Sequence, residues 1–273
     1  MSKKNNKGGT LGEALRSTFT LVAMVVSLGI AWIVYKYIMG NPINFEGGNP
    51  EGTPLPGNYL AMVYKGGFIV PLLMTVLLIL IVFSVERLIT ITKARGKGRI
   101  NVFVKNLQDL LNDDKIEDAI VACDKQKGSL ANVMKAGLLR YRALQKDPNL
   151  VKDQKILALQ KEFEEATALE LPMLSRNLVI LSTIASISVL IGLLGTVLGM
   201  IRAFGALAQA GSPDALALAT GISEALINTA FGISGSLLGI VIYNTFSTQI
   251  DSFTYKIDEA GFSLVQSFAA STK

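Results

Sequence analysis

Apolar residues along this chain are gathered into four long blocks rather than spread at regular intervals. Residues 19–39 contain one charged side chain, near the end of the block. Residues 67–85 and 177–201 contain none, and residues 216–250 contain only Glu224. A helix of about 20 apolar residues crosses the hydrocarbon of a bilayer. The pattern therefore predicts an all-α integral membrane protein with four transmembrane helices, because core helices of soluble proteins seldom run this far without charge.

The first block is interpreted as an uncleaved membrane anchor and not as a signal peptide. The basic residues that precede it, as in signal peptides, are Lys3, Lys4, Lys7 and Arg16. Its apolar stretch exceeds the roughly 7–15 residues of a signal-peptide core, and no A-x-A-like cleavage site follows it.

Basic residues in the connections predict the orientation of the spans, because cytoplasmic loops are enriched in Lys and Arg. The first 18 residues hold four of them and residues 92–176 hold sixteen. Residues 40–66 hold one and residues 205–215 hold none. This alternation predicts that both termini are cytoplasmic. The basic residues are thus interpreted as topology signals and not as a nucleic-acid surface.

The connections between spans differ in character. The segment 40–58 is rich in proline and glycine, so we expect it to be irregular and to build no packed core. Residues 92–176 carry apolar side chains at helical spacing in four runs, 100–111, 116–123, 130–141 and 156–166, which predict a cytoplasmic helical extension. Cys123 lies on one of these apolar stripes, which favours a packing role over a reactive thiol.

The predicted organisation has five parts. They are an N-terminal anchor span with its outer connector (1–66), span two (67–91), the cytoplasmic helical region (92–176), glycine-rich pore-forming spans three and four (177–250) and a cytoplasmic tail (251–273).

Composition excludes several classes of function. Hydrophobic residues make up 50% of the chain and charged residues 17%, against about 25% charged in soluble proteins. The chain has no histidine and one cysteine, which excludes Ser-His and Cys-His dyads and an internal disulfide, and argues against a structural zinc site. No pattern supports enzyme chemistry, a cofactor or a metal.

Spans three and four carry glycines at i, i+3 and i+7, which let helix backbones approach closely. The residues predicted to serve helix packing in this way are Gly192, Gly195, Gly199, Gly232, Gly235 and Gly239.

Polar residues inside these two spans are the candidate ion pathway, since intramembrane polar groups are costly and tend to be functional. Glu224 and Asn228 are four residues apart and share a helix face. Thr229 and Ser236 add hydroxyls at a spacing of seven residues, and Thr196 lies among the glycines of span three. The set suggests a hydrated path for a proton or small cation.

Two segments carry a resemblance to a known family. GLLGTVLGMIRAF (192–204) and GISEALINTAFGISGSLLGIVIYNTF (221–246) resemble the paired signature of the ExbB/TolQ proton-channel proteins, related more remotely to MotA flagellar stators. The likeness runs over about 67–250, includes VERLI (85–89), and looks closest to ExbB.

The resemblance implies a pentamer in the bacterial inner membrane that surrounds the single helices of two ExbD-like partners. Proton flow would then drive work on an outer-membrane target through a TonB-like protein. By the same likeness, Thr196 and Thr229 match the family's pore-facing threonines and Glu224 its motif glutamate. The family's usual form has three spans, so the span over 19–39 is an addition; MotA-type proteins have four.

A partner is also expected from the residues themselves. Glu224 is the sole carboxylate within the glycine-rich spans, it lies toward the outer end, and hydroxyls do not titrate near neutral pH. We therefore expect an Asp on another chain to accept the proton in a pore lined by Thr196 and Thr229.

Glu86 and Arg87 end span two on different faces, as interface anchors or as a docking contact for a partner. Arg202 is expected to anchor span three or to balance charge at the pore mouth. The alternatives to an ExbB-type motor are a TolQ- or MotA-like stator, a non-conducting scaffold and a secondary transporter, of which the last lacks a substrate-sized polar set.

Overall fold

The computed structural model describes residues 7–209 and 215–271, and all regular structure in those ranges is helical apart from one isolated bridge between Phe45 and Pro54. The α-helices are α1 (Lys7–Ile33), α2 (Tyr59–Tyr64), α3 (Ile69–Ala94), α4 (Ile100–Asn112), α5 (Ile116–Gln126), α6 (Ser129–Gln145), α7 (Lys152–Ser175), α8 (Leu178–Gln209) and α9 (Ala215–Ser271). The basic residues Lys3 and Lys4, on which the predicted orientation partly depends, lie outside the described residues.

Four helical stretches are long and apolar enough to cross a membrane. They are Phe19–Met39, Ile69–Ala94, Lys152–Ala208 and Ala215–Ala270. The prediction of an all-α fold with four spans is confirmed. Span three begins at α8, directly after the α7 helix, and span four is the first half of α9.

The chain divides into two compact units. The first unit comprises residues 1–84 and 180–242, and the second comprises residues 85–179 and 243–273. In the first unit, Leu73, Leu80 and Phe83 of α3 are fully buried, while large apolar side chains elsewhere on its helices are exposed. Apolar side chains on the outside of membrane spans can face lipid, so the surface of this unit is typical of a membrane domain.

The connector (residues 40–58) is turn-rich as predicted but is not without a core. Phe45 is buried, and its ring lies edge-on to Tyr64 with 5.6 Å between ring centroids. Tyr64 in turn stacks on Tyr35 at 4.7 Å, and the Tyr35 hydroxyl donates to the Tyr64 carbonyl. The expectation of no packed core is therefore wrong, because aromatic residues on the flanking helices supply the apolar surface that the connector lacks.

The side-chain amide of Asn44 links the connector to the helical turn that follows α1. The chain runs from α1 into a π-helical turn (Val34–Met39) and two short 3-10 turns, Pro42–Asn44 and Glu46–Gly48. The Asn44 side chain donates to the carbonyls of Ile38 and Met39, at 2.8 and 3.1 Å. These carbonyls end a helix and lack partners within it, so Asn44 satisfies them.

In the second unit the four predicted helices of residues 92–176 are all present as α4–α7. Their apolar stripes meet in a core that includes Leu107, Met134, Leu138 and Leu159. This confirms the helical extension, whereas its position on the cytoplasmic side stays a prediction.

Residues 251–273 were predicted to be a separate tail, but through residue 271 they continue α9 without a break. Phe253, Ile257, Leu264 and Phe268 lie on one stripe of this helix and are buried. The ring of Phe268 packs edge-on against that of Tyr141 at 4.6 Å. The last part of α9 thus belongs to the core of the second unit.

Cys123 is 2% exposed in this core, which confirms the predicted packing role. Burial raises the pKa of its thiol to about 12, with the charge of Asp124 adding to the rise. A thiol reagent at pH 8 should therefore react far more slowly with the folded chain than with the unfolded chain, because the thiolate is the reactive form.

The measurement is the rate of labelling in detergent with and without denaturant, with Val102→Cys as an exposed control on α4. Between about pH 9 and 12 the unfolded chain loses this proton while the folded chain keeps it, so stability should fall as the pH rises through that range. Equal labelling rates for Cys123 in the folded and unfolded chain would contradict the burial.

Candidate ion-pathway site

The glycine faces of α8 and α9 lie directly against each other. A Cβ atom added at Gly192 would lie 2.9 Å from the Cα of Gly232, and one at Gly239 would lie 3.0 Å from the Cα of Ala185. One at Gly199 would lie 2.9 Å from the backbone of Gly221. Gly195 and Gly235 instead make room for side chains, those of Asn228 and Ser188. The two backbones approach closely along several turns, as small residues allow.

The hydroxyls of Thr196 and Thr229 meet at this interface and are in hydrogen-bond contact. Thr196 Oγ1 also lies 3.2 Å from the carbonyl oxygen of Gly192 and 3.4 Å from that of Ala225. Both threonines are partly exposed. The structure thus brings together the two threonines that the sequence singled out, 33 residues apart along the chain, in a pair that can accept and donate hydrogen bonds.

Glu224 is placed in an ion pair within the subunit. Its Oε1 lies 2.5 Å from Nη1 of Arg202, and the side chain of Glu224 is only 8% exposed. The carboxylate also lies against Gly67. Sequence reasoning put both charged residues near the same end of the spans but did not pair them, because α8 and α9 must first be docked in register before residues 22 positions apart meet.

Asn228 is 0% exposed in the subunit, and its predicted place in the ion pathway stays a prediction. Its Nδ2 donates to the carbonyl of Gly66 at 2.9 Å, and its side chain packs on Gly195. The amide is therefore a tie between α9 and the segment before α3. The reason is steric, since Gly195 has no side chain and leaves room for that of Asn228 between the two helices.

Ser236 is partly buried and lies seven residues beyond Thr229 on α9, about 10 Å along the helix. It is therefore on the same stripe but is not part of the threonine pair. Ser188 of α8 is a polar residue that sequence reasoning missed; it is 0% exposed and packs on Gly235. Its signal was the small residue opposite it, which only the docked helices reveal.

Glu86 and Arg87 are consecutive on α3 and differ in exposure, yet the ends of their long side chains meet. The Arg87 guanidinium pairs with Glu86, with 2.6 Å between Nη2 and Oε1, and Nη1 donates to the Leu174 carbonyl at 2.9 Å. Arg87 is 3% exposed in the subunit, and its role as an interface anchor or a partner contact stays a prediction. It turns inward because the last carbonyls of α7 have no partner within that helix.

Comparison with known proteins gives the family of this site. The model of the MotA/TolQ/ExbB proton channel family matches residues 125–259, which include all of α8 and most of α9. The chain belongs to this family. It is a multi-pass membrane protein of a family of the bacterial inner membrane, and the family is one of proton channels and not of enzymes. The span over 19–39 lies outside the matched residues.

Curated relatives match over parts of their length. The chain is 31% identical over 117 residues to the Tol-Pal system protein TolQ of Pseudomonas aeruginosa, covering 43% of this chain and 51% of that protein. It is 42% identical over 73 residues to the biopolymer transport protein ExbB of Salmonella typhimurium, covering 27% of this chain and 30% of that protein. With the ExbB of Helicobacter pylori it shares 35% identity over 96 residues, covering 35% of this chain and 66% of that protein.

The matched stretches thus span about half of the first relative and less than a third of the second. Relatives named ExbB and relatives named TolQ match at comparable identity. The comparison therefore gives the family but does not distinguish between these two members.

Proposed function

We propose that this chain is the pentameric stator subunit of an ExbB-ExbD type inner-membrane motor. In it, the proton-motive force would energise transport across the outer membrane through a TonB-like protein. The observation that carries the proposal is the contact of Thr196 with Thr229 between two glycine-packed spans. Their hydroxyls, followed by Ser236, would line the path and orient water or a partner's carboxylate. Both termini would face the cytoplasm, as the basic residues suggest.

The proton-accepting group would come from a second chain. The chain has no histidine, and Glu224 is the sole carboxylate in residues 177–209 and 215–250. That carboxylate already has a cation, Arg202, at 2.5 Å. We therefore propose an ExbD-like single-span partner whose Asp switches between a charged state and a protonated state bonded to the threonine hydroxyls. Such a switch would let the partner helix turn inside the pentamer.

The alternative is a TolQ- or MotA-like stator, which would use the same pathway for envelope maintenance or motility. It is favoured by the TolQ relative, whose match is the longest of the three described above. The two proposals share the proton pathway and differ in the client.

The proposal is tested by proton flux in liposomes that hold the full chain with or without an ExbD-like single-span protein from the same organism. We expect flux only with both chains, and none when the partner's intramembrane Asp is replaced by Asn. No flux from the complete complex would favour a non-conducting scaffold. Flux from this chain alone would exclude the need for a partner. The client is then read from which process fails in a cell that lacks the chain, nutrient uptake or envelope integrity.

A further inference from the structure

Two side chains of α9 hold the short segment that precedes α3, residues 65–68. Asn228 donates its amide to the carbonyl of Gly66 at 2.9 Å, and the carboxylate of Glu224 lies against Gly67. The two are four residues apart, so they project from one face of the helix one turn apart. The 65–68 segment is therefore joined to α9 by one hydrogen bond and packs against it at a second point.

The segment has the shape that these attachments require. Gly67 has φ +73, a left-handed conformation that favours glycine, and a Cβ there would overlap Oε1 of Glu224. A Cβ at Gly66 would lie 2.5 Å from Val70 and 2.9 Å from Ile227, both through side-chain methyls. Side chains at either position would push the segment away from α9, so the close approach depends on both glycines.

Arg202 stabilises this contact, because its guanidinium offsets the charge that Glu224 would bring into an apolar span. A buried carboxylate without a partner is strongly unfavourable, and removal of one member of a buried pair costs more than removal of both. Glu224 is 8% exposed, whereas Arg202 on the facing helix is 56% exposed and reaches inward to it. The guanidinium thus fixes where the carboxylate lies, and with it the position of α9 against Gly67.

We propose that Arg202 is a positioning residue that holds the side chain of Glu224 against Gly67, so that Glu224 is a structural latch and not a proton carrier. Thr229 follows Asn228 directly and is five residues beyond Glu224 on α9. The latch therefore sets the register in which Thr229 meets Thr196. The inference deepens the proposed function and rests on it for its effect on proton flux.

The test is a double-mutant cycle on the full chain, measured both as proton flux of the reconstituted complex and as the unfolding temperature of the chain in detergent. Arg202→Gln should lower flux to about a tenth or less, because it leaves the buried carboxylate alone. Glu224→Gln should stay within about threefold of wild type, since the amide still accepts a bond from Arg202. The double variant Arg202→Gln with Glu224→Gln should recover to within about threefold as well, because it removes the unpaired buried charge while the two amides can still hydrogen-bond across the same contact between α8 and α9. Arg202→Lys should retain most of the flux, and Lys36→Gln serves as a cation control outside the pair.

The outcomes separate the latch from a proton carrier. If Glu224 carries protons, then Glu224→Gln and the double variant both lose flux, which overturns the inference. A double variant no better than Arg202→Gln in flux and in unfolding temperature overturns it too. If the wild-type complex conducts no protons, the proposed function fails but the latch is still tested. In that case Arg202→Gln must unfold at a lower temperature than the double variant, and the reverse order overturns the latch.

Discussion

Gly192→Leu should prevent spans three and four from docking and should strongly lower the amount of folded chain. Even the Cβ of the new side chain would lie 2.8 Å from the carbonyl oxygen of Asn228 and 2.9 Å from the Cα of Gly232. Backbone atoms cannot rotate aside as a side chain can, so the helices must separate. Overpacking of this kind costs typically about 1–3 kcal/mol, and we expect leucine at the upper end of that range because three further carbons follow the Cβ.

The matched control is Gly205→Leu on the same helix, where a new Cβ would meet nothing within 4 Å. Leucine is a better helix former than glycine, so this variant should be as stable as wild type. The measurement is the yield and unfolding temperature of the full chain in detergent. Equal behaviour of the two variants would mean that α8 and α9 do not pack through Gly192. Gly232→Leu should reproduce the defect, and the double variant should lose less than the sum of the two, because the contact is already broken.

The elements of this protein could be predicted from its sequence because each depends on a local pattern. The uncharged blocks predict the spans, since soluble core helices seldom run so far without a charge. The helical spacing of 100–111 and its neighbours predicts α4–α7. The continuation of α9 to residue 271 was not predicted, because charged residues return at Asp251 and a charged stretch after a span is typical of a tail. Its apolar stripe is recognised as part of a core only when the helices that cover it are known.

Which polar side chains meet could be predicted only in part. Thr196 was singled out because it lies among the glycines of span three, and Thr229 because it is seven residues before Ser236; both also match the threonines of the family resemblance. The attachment of Asn228 to Gly66, 162 residues away, leaves no local pattern in either segment. The inward turn of Arg87 depends on carbonyls at the end of α7, and a rule about neighbouring positions on one helix cannot include them. The long-range partners of polar groups thus depend on how the helices pack, and that packing depends on many residues together and not on a local pattern.

Thr196→Val combined with Thr229→Val should abolish most of the proton flux of the reconstituted complex while leaving the fold intact. Valine has nearly the shape of threonine but neither donates nor accepts a hydrogen bond. Both side chains are partly exposed. Replacing both hydroxyls by methyl groups therefore leaves neither residue with a buried polar atom that lacks a partner. A lost hydrogen bond of about 1.4 kcal/mol in the rate-limiting step lowers a rate about tenfold, and we expect at least that loss.

Each single valine variant should lose less than the double variant, because the remaining hydroxyl still faces the same space. The matched control is Thr220→Val on α9, whose hydroxyl donates to the Leu216 carbonyl at 2.8 Å, away from the pair. Flux is measured in liposomes that hold the partner, beside the unfolding temperature in detergent. A double variant that conducts like wild type and unfolds at the same temperature would exclude this threonine pair from the pathway. A double variant that loses flux at an unchanged unfolding temperature would assign the loss to the hydroxyls themselves, because the packing of α8 on α9 is then preserved.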